Sequence, residues 1–253
     1  MTAADRAPAR HGHRMASGDT SSIRALAALD EEMRRRLFEL VRRARRAVSR
    51  EEAAAGAGIS RKLAAFHLDR LVEVGLLRAH YEAPRGTRRR AGRSPKVYEL
   101  AGTDIQVSIP QRDYQVLAGI MVEAISSETG RESAGQAALR VALEHGKKLG
   151  GTERSIARGQ RGEVGHDLDL AEGILRRHGF EPYRQRPDTV RLRNCPFHPL
   201  SVRARDLVCG MNHAYLAGML TGMEAPSIRA SLEPRAGECC VELREVAAPA
   251  ARH

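Results

Sequence analysis

All four cysteines of the 253-residue chain fall in its last third, at Cys195, Cys209, Cys239 and Cys240. His198 follows Cys195 and His213 follows Cys209, in the patterns C-x2-H and C-x3-H. Thiolates and neutral imidazoles close tetrahedral zinc sites, and these two pairs together supply four such ligands. Cys209 and His213 would share one helix face, although the spacing is not that of a standard zinc finger. Free cysteine also serves as a small buried apolar residue, which gives the same positions a purely structural use. Cys195 beside His198 has the residue types of a thiol nucleophile and its base. No glycine-rich phosphate loop, nucleophile elbow or spaced carboxylate pair accompanies them, so the chain is expected not to be an enzyme. The neighbours Cys239 and Cys240 would point to opposite faces of a strand, which lets one of them join a shared site.

A second chemistry is carried by positive charge. The chain has 42 Lys and Arg against 31 Asp and Glu, a formal net charge of +11. Such a surface gains from counterion release on a polyanion, and nucleic acid is the obvious one. The stretch 49–77, SREEAAAGAGISRKLAAFHLDRLVEVGLL, shows how the charge would be presented. Ser49 and Glu52 have capping-box spacing, Gly56 and Gly58 interrupt the helix they start, and Ser60 caps a second helix that Gly75 ends. Ala64, Leu68, Leu71 and Val72 share one face of that second helix, while Lys62, Ala65, Phe66, Asp69 and Glu73 face the other way. A short helix, a glycine turn and a longer helix make a helix-turn-helix.

Two alternating segments follow, LLRAHY (76–81) and KVYEL (96–100), separated by the basic loop APRGTRRRAGRSP. Helix-turn-helix, strand, basic loop and strand together predict a winged helix. In that frame Arg61 and Lys62 reach guanine edges or phosphates, Ala65 and Phe66 contact thymine methyls, and Arg70 takes a phosphate. Phe66 has a competing use, burial against a neighbouring helix, and His67 reads as structural. Arg88, Arg89, Arg90 and Arg93 of the wing would enter a minor groove. An architectural DNA binder would use the same surface, with a small specific-to-nonspecific ratio.

The remaining elements position these groups. Asp30 is placed to cap a first helix within 21–46, with Met33, Leu37, Leu40 and Val41 inward and a row of arginines outward, either solvated or holding phosphates. A helix after Pro110 carries the stripe Tyr114, Leu117 and Met121, expected to be the seam of a homodimer or to pack on its own domain. Residues 132–149 form another amphipathic helix, and 150–165 read as a polar loop. From His166 the order is helix, two strands, helix, two strands. The expectation is an α+β protein divided into a tail (1–20), a winged helix-turn-helix (21–102), dimerisation helices and linker (103–165), a cysteine-containing α+β sensor (166–246) and a second tail (247–253). No stretch approaches the roughly 18 apolar residues of a membrane span. The first residues lack an apolar core of signal-peptide type, so a reducing cytoplasm is expected.

The segments ALAALDEEMRRRLFELV, SREEAAAGAGISRKLAAFHLDRLVEVGLL and AGRSPKVYEL resemble the ArsR-like winged-helix regulators. The likeness is closest to the branch of SufR-type repressors of iron–sulfur-cluster assembly genes. That branch ends its wing in a GRPxKxY-like segment; here Gly92, Arg93, Ser94, Pro95, Lys96, Val97 and Tyr98 place the proline one position late. The resemblance implies a homodimeric transcriptional repressor on a palindromic double-stranded operator. It also implies an iron–sulfur cluster held by Cys195, Cys209 and one of Cys239 or Cys240. The same C-terminal stretch resembles 4-vinyl-reductase-type small-molecule-binding domains over a shorter length. Expected, then, is a DNA-binding regulator whose last domain senses a cluster or redox state, with zinc, a small molecule or no metal as alternatives.

Overall fold

A computed structural model describes residues 18–82, 94–127, 130, 132–159 and 167–246, in two units that divide between Val107 and Ser108. The chain is a mixed α+β fold with two small open sheets, one in each unit. No helix among the described residues is long and apolar enough to cross a membrane.

The first unit contains α1 (Gly18–Ala28), α2 (Glu32–Ala44), β1 (Val48–Ser49), α3 (Arg50–Ala57), α4 (Arg61–Glu73), β2 (Leu77–Tyr81) and β3 (Lys96–Leu100). Local chemistry sets most of these boundaries. Ser49 and Glu52 form the reciprocal capping box, with Glu52 N–H donating to Ser49 Oγ at 3.2 Å and Ser49 N–H donating to Glu52 Oε2 at 2.9 Å. Gly58 turns the chain at φ 68°, and Ser60 Oγ accepts from Leu63 N–H at 3.2 Å to start α4. The α2 cap differs from expectation by one residue. The longer Glu31 side chain, rather than Asp30, accepts from the Met33 and Arg34 amides at 2.9 and 2.8 Å.

The core beneath these helices is built from Leu37, Val41, Ala53, Ala57, Leu68, Leu71, Leu77 and Tyr98. The sheet order is β1-β3-β2, antiparallel throughout, with Val48 opposite Tyr98 and Ala79 also opposite Tyr98. Asp69, on the outer side of α4, ties that helix to β3. Its Oδ1 accepts from Lys96 Nζ at 2.6 Å and from Tyr98 O–H at 2.9 Å.

The second unit contains α5 (Tyr114–Ser126), α6 (Ala134–Gly159), α7 (Asp167–Arg177), β4 (Pro182–Arg186), β5 (Thr189–Leu192), α8 (Leu200–Arg203), α9 (Arg205–Gly222), β6 (Ile228–Leu232) and β7 (Val241–Glu245). Its sheet runs β4-β5-β7-β6, antiparallel, and the helices share one apolar core with it. Leu117 of α5 is buried in that core and Met121 packs on it, while Tyr114 O–H donates to the His198 carbonyl at 2.8 Å. The stripe expected as a dimer seam is therefore largely spent inside its own unit. The exposed large apolar residues of α5 are Tyr114, Val122 and Ile125, the last two the most exposed.

Helix α6 also runs ten residues past the end expected for it, through Gly150 and Gly151, to Gly159. The reason is its crossing with α9. A Cβ on Gly146 would lie 1.9 Å from the Tyr215 carbonyl oxygen, and one on Gly150 would lie 2.0 Å from that of Met219. Reciprocally, a Cβ on Gly218 or Gly222 would lie 2.1 Å from the carbonyl oxygens of Leu143 or Lys147. Two G-x3-G faces thus bring the backbones into direct contact. These glycines permit close approach instead of ending the helix.

Candidate functional site

Three separate segments of the second unit carry four thiols to one cleft. Cys195 lies in the loop after β5, Cys209 is on the second turn of α9, and Cys239 and Cys240 end the loop between β6 and β7. All four are free and line a cleft of about 600 Å³. Because Cys239 and Cys240 precede β7 instead of alternating within it, both line the same cleft.

Buried polar contacts fix the loops. Arg191, fully buried on β5, donates to Glu238 Oε2 at 3.0 and 3.1 Å, to Glu242 Oε2 at 3.1 Å and to the Glu233 carbonyl at 3.0 Å. This guanidinium pins both ends of the segment that bears Cys239 and Cys240. Cys239 N–H adds a bond to the Leu192 carbonyl at 2.9 Å. On the other side Arg112 Nη1 donates to Asn194 Oδ1 and, at 3.0 Å, to the Cys195 carbonyl. Asn194 Nδ2 in turn donates to the Gly179 carbonyl at 2.6 Å. Asn212 is buried on α9 and donates to Cys239 Sγ at 3.2 Å. Spacing alone pointed to none of Arg191, Arg112, Asn194 or Asn212. The paired G-x3-G motifs were the one visible sign of the helix crossing.

Within the cleft the thiols lie near enough to shift one another's proton affinities, Cys195 with Cys239, Cys239 with Cys240, and Cys240 with Cys209. Their proton affinities diverge accordingly. The Cys239 thiol, together with the Phe197 and His198 amides, holds Cys195 below the ordinary thiol value against the opposing effect of burial. Cys240 is drawn down to about 6, by Cys239 first and then, against burial, by Cys209, the Asn212 amide and a backbone N–H. Burial pushes Cys209 up to about 12, and Cys239, shifted by Cys195 and Cys240, is also raised. A thiolate-prone sulfur thus sits beside a proton-holding one twice in the same cleft.

This arrangement overturns the expected cofactor. Among the described residues no three His, Cys, Asp or Glu side chains are placed to hold a metal ion. The four free thiols share the cleft without the convergence of three or more ligands that an iron–sulfur cluster or zinc requires. The zinc set Cys195, His198, Cys209 and His213 fails on its histidines too. His213 Nε2 lies 3.1 Å from the Ala230 carbonyl oxygen, and the His198 ring makes no hydrogen bond among the described residues.

In the first unit, α4 buries Ala64, His67, Leu68 and Leu71 and exposes Arg61, Lys62, Phe66 and Arg70, with Ala65 half-buried between them. Phe66 is 63% exposed, so it is not the core residue that the alternative reading required. Arg61 stands 3.6 Å from Glu51, and Arg70 donates to Glu73 at 2.7 Å. Arg88, Arg89, Arg90 and Arg93 lie outside the described residues. No protein-family model matches the chain, and no curated protein matches it in sequence.

Proposed function

We propose that the chain is a sequence-specific DNA-binding transcriptional regulator, with the first unit as reader and the second as a thiol-based redox sensor. The observation that carries the reading is the outer face of α4. A phenylalanine 63% exposed, flanked by Arg61, Lys62 and Arg70, stands on a helix whose opposite side is fully buried. This exposed aromatic meets the His67 ring edge-on at 5.3 Å, and standing among cations it suits thymine methyls and phosphates. Helices α2 to α4 followed by the β2–β3 hairpin support a winged helix-turn-helix, with α4 as the recognition helix. The ArsR-like resemblance agrees with this and supplies the sign, repression. The basic loop between β2 and β3 would add sequence-independent affinity.

A homodimer on a palindromic operator completes the proposal, with Val122 and Ile125 of α5 as the apolar contact in place of the Leu117 stripe. Ile125→Glu should then shift sedimentation from dimer to monomer without loss of helix content; an unchanged dimer would move the interface elsewhere. The reader is tested by selecting binding sites from a random DNA pool and titrating the winner. Lys62→Ala and Phe66→Ala should each lower operator affinity by about 1–3 kcal/mol and leave random-DNA affinity nearly unchanged. Equal losses on both DNAs would remove α4 as the reading element.

A further inference from the structure

The thiol cleft carries more charge than a passive redox sensor needs. Arg112, Arg193, Arg205 and Arg235 all line it, and its one carboxylate is Glu238. That carboxylate is already engaged by Arg191 and by the Tyr183 hydroxyl at 2.6 Å. None of the four lining arginines has a carboxylate partner within ion-pair distance among the described residues. Arg112 is held by neutral oxygens, one of them the carbonyl of Cys195 itself, and Arg193 lies over the Tyr183 ring. Planar guanidiniums without acidic partners are receptors for carboxylates. At about 600 Å³ the cleft also far exceeds what a peroxide would fill, and falls in the range of an organic ligand of tens of atoms.

The sulfurs are graded in access. Cys195 is partly exposed at the cleft, whereas Cys239, which lines the same cleft, is 1% exposed. An outer thiol sharing a cleft with an enclosed one suits attack by the first and resolution by the second. We propose that the cleft is a thiol–disulfide exchange site for a carboxylate-bearing low-molecular-weight disulfide, with Cys195 attacking and Cys239 resolving.

The Cys195 thiolate forms a bond to one sulfur of the disulfide and expels the other half as a thiolate, which takes a proton. Cys239 then gives up its proton and attacks Cys195 Sγ. The Cys195–Cys239 bond forms, and the second half leaves as a thiol. Two protein thiols are oxidised and one disulfide is reduced to two thiols. The guanidiniums seat the carboxylates and bring the disulfide to Cys195, which favours an anionic over a cationic reagent.

This deepens the reading of the second unit as a redox sensor and rests on it, but its chemistry is measurable without DNA. Reduced full-length protein is mixed with oxidised glutathione, which is anionic, or cystamine, which is cationic. Each rate is divided by that reagent's rate with a small free thiol. Thiol counting, intact mass and peptide mapping follow the product. Oxidised glutathione should react on the order of tenfold faster by this measure, and the advantage should shrink in about 0.5 M salt. Two thiols should disappear, linked as Cys195–Cys239. Cys239→Ser should stop at one glutathionyl group on Cys195. Arg205→Ser with Arg235→Ser, both at exposed positions, should abolish the charge preference and leave the fold intact. Equal normalised rates for the two disulfides, a mixed disulfide on another cysteine, or oxidation by hydrogen peroxide without exchange would each overturn the assignment. Normal exchange with no change in operator affinity would uphold the site and refute the regulatory reading instead.

Discussion

Gly150 and Gly151 are neighbours on α6, and alanine should act on them with opposite sign. A Cβ on Gly150 would meet the Met219 carbonyl oxygen at 2.0 Å, the Met223 nitrogen at 2.8 Å and the Met219 carbonyl carbon at 2.9 Å. All three are backbone atoms of α9 or of its capping residue Met223, so no side chain can turn away. Restoring an ordinary separation of about 3.5 Å requires the helices to part locally by about 1.5 Å, and a gap of that order removes at least half of the dispersion attraction across the seam. Overpacking costs about 1–3 kcal/mol where side chains can adjust and more where they cannot, against a gain of about 1 kcal/mol for alanine over glycine in a helix. Gly150→Ala should therefore destabilise the second unit by at least about 2 kcal/mol, lowering its Tm by about 4–8 °C. On Gly151 the nearest atom, the Gly222 carbonyl oxygen, would be 3.9 Å from the new Cβ, an ordinary contact. Gly151→Ala should instead stabilise by about 0.5–1 kcal/mol. Urea unfolding followed by far-ultraviolet circular dichroism, with comparison of slopes as well as midpoints, measures both. Stabilisation by both substitutions would refute the crossing, and with it the placement of Cys209 and Asn212 by α9.

Arg191→Leu should cost about 3 kcal/mol in the same assay, because it removes the buried cation and leaves the Glu242 carboxylate only the half-exposed Arg244. The double change of Arg191→Leu with Glu242→Leu should recover part of that loss, and no recovery would separate the two residues energetically. Asp69 titrates below the ordinary aspartate value, since the bonds from Lys96 and Tyr98 outweigh the upward push of burial. A depressed carboxyl stabilises the fold above its unfolded value of about 3.9 and loses that contribution as pH falls through the lower folded value. The stability gap between the native chain and Asp69→Asn should accordingly close as pH falls from about 5 towards 3, and a gap independent of pH would show that the carboxylate charge is not involved.

Much of the first unit was legible because its determinants are local. Ser49 with Glu52, Ser60 with Leu63, and the glycines at 58 and 75 act within one helical turn, and the alternation of 96–100 needs a single partner strand. The exposed side of α4 followed from helical period alone. Asp69, on that side, shows the limit: its engagement with Lys96 and Tyr98 depends on a strand 27 and 29 residues away.

In the second unit the same kinds of residue took meanings that no window could assign. Gly150 has the composition of a helix end, but α9 approaches so closely that only a residue without Cβ fits, and α6 continues. Arg191 alternates like a surface strand residue, yet β5 is covered on both faces and the guanidinium is satisfied by Glu233, Glu238 and Glu242. Leu117 belongs to an amphipathic stripe whose partner, its own core or a second chain, is invisible to periodicity. The family resemblance, not the spacing, implied that Cys195 and Cys209 would meet one of Cys239 or Cys240, and the fold brings all four to one cleft. Whether their sulfurs are placed to hold a metal depends on ångström-scale placement by two loops and a helix, and that is decided by the packing around them.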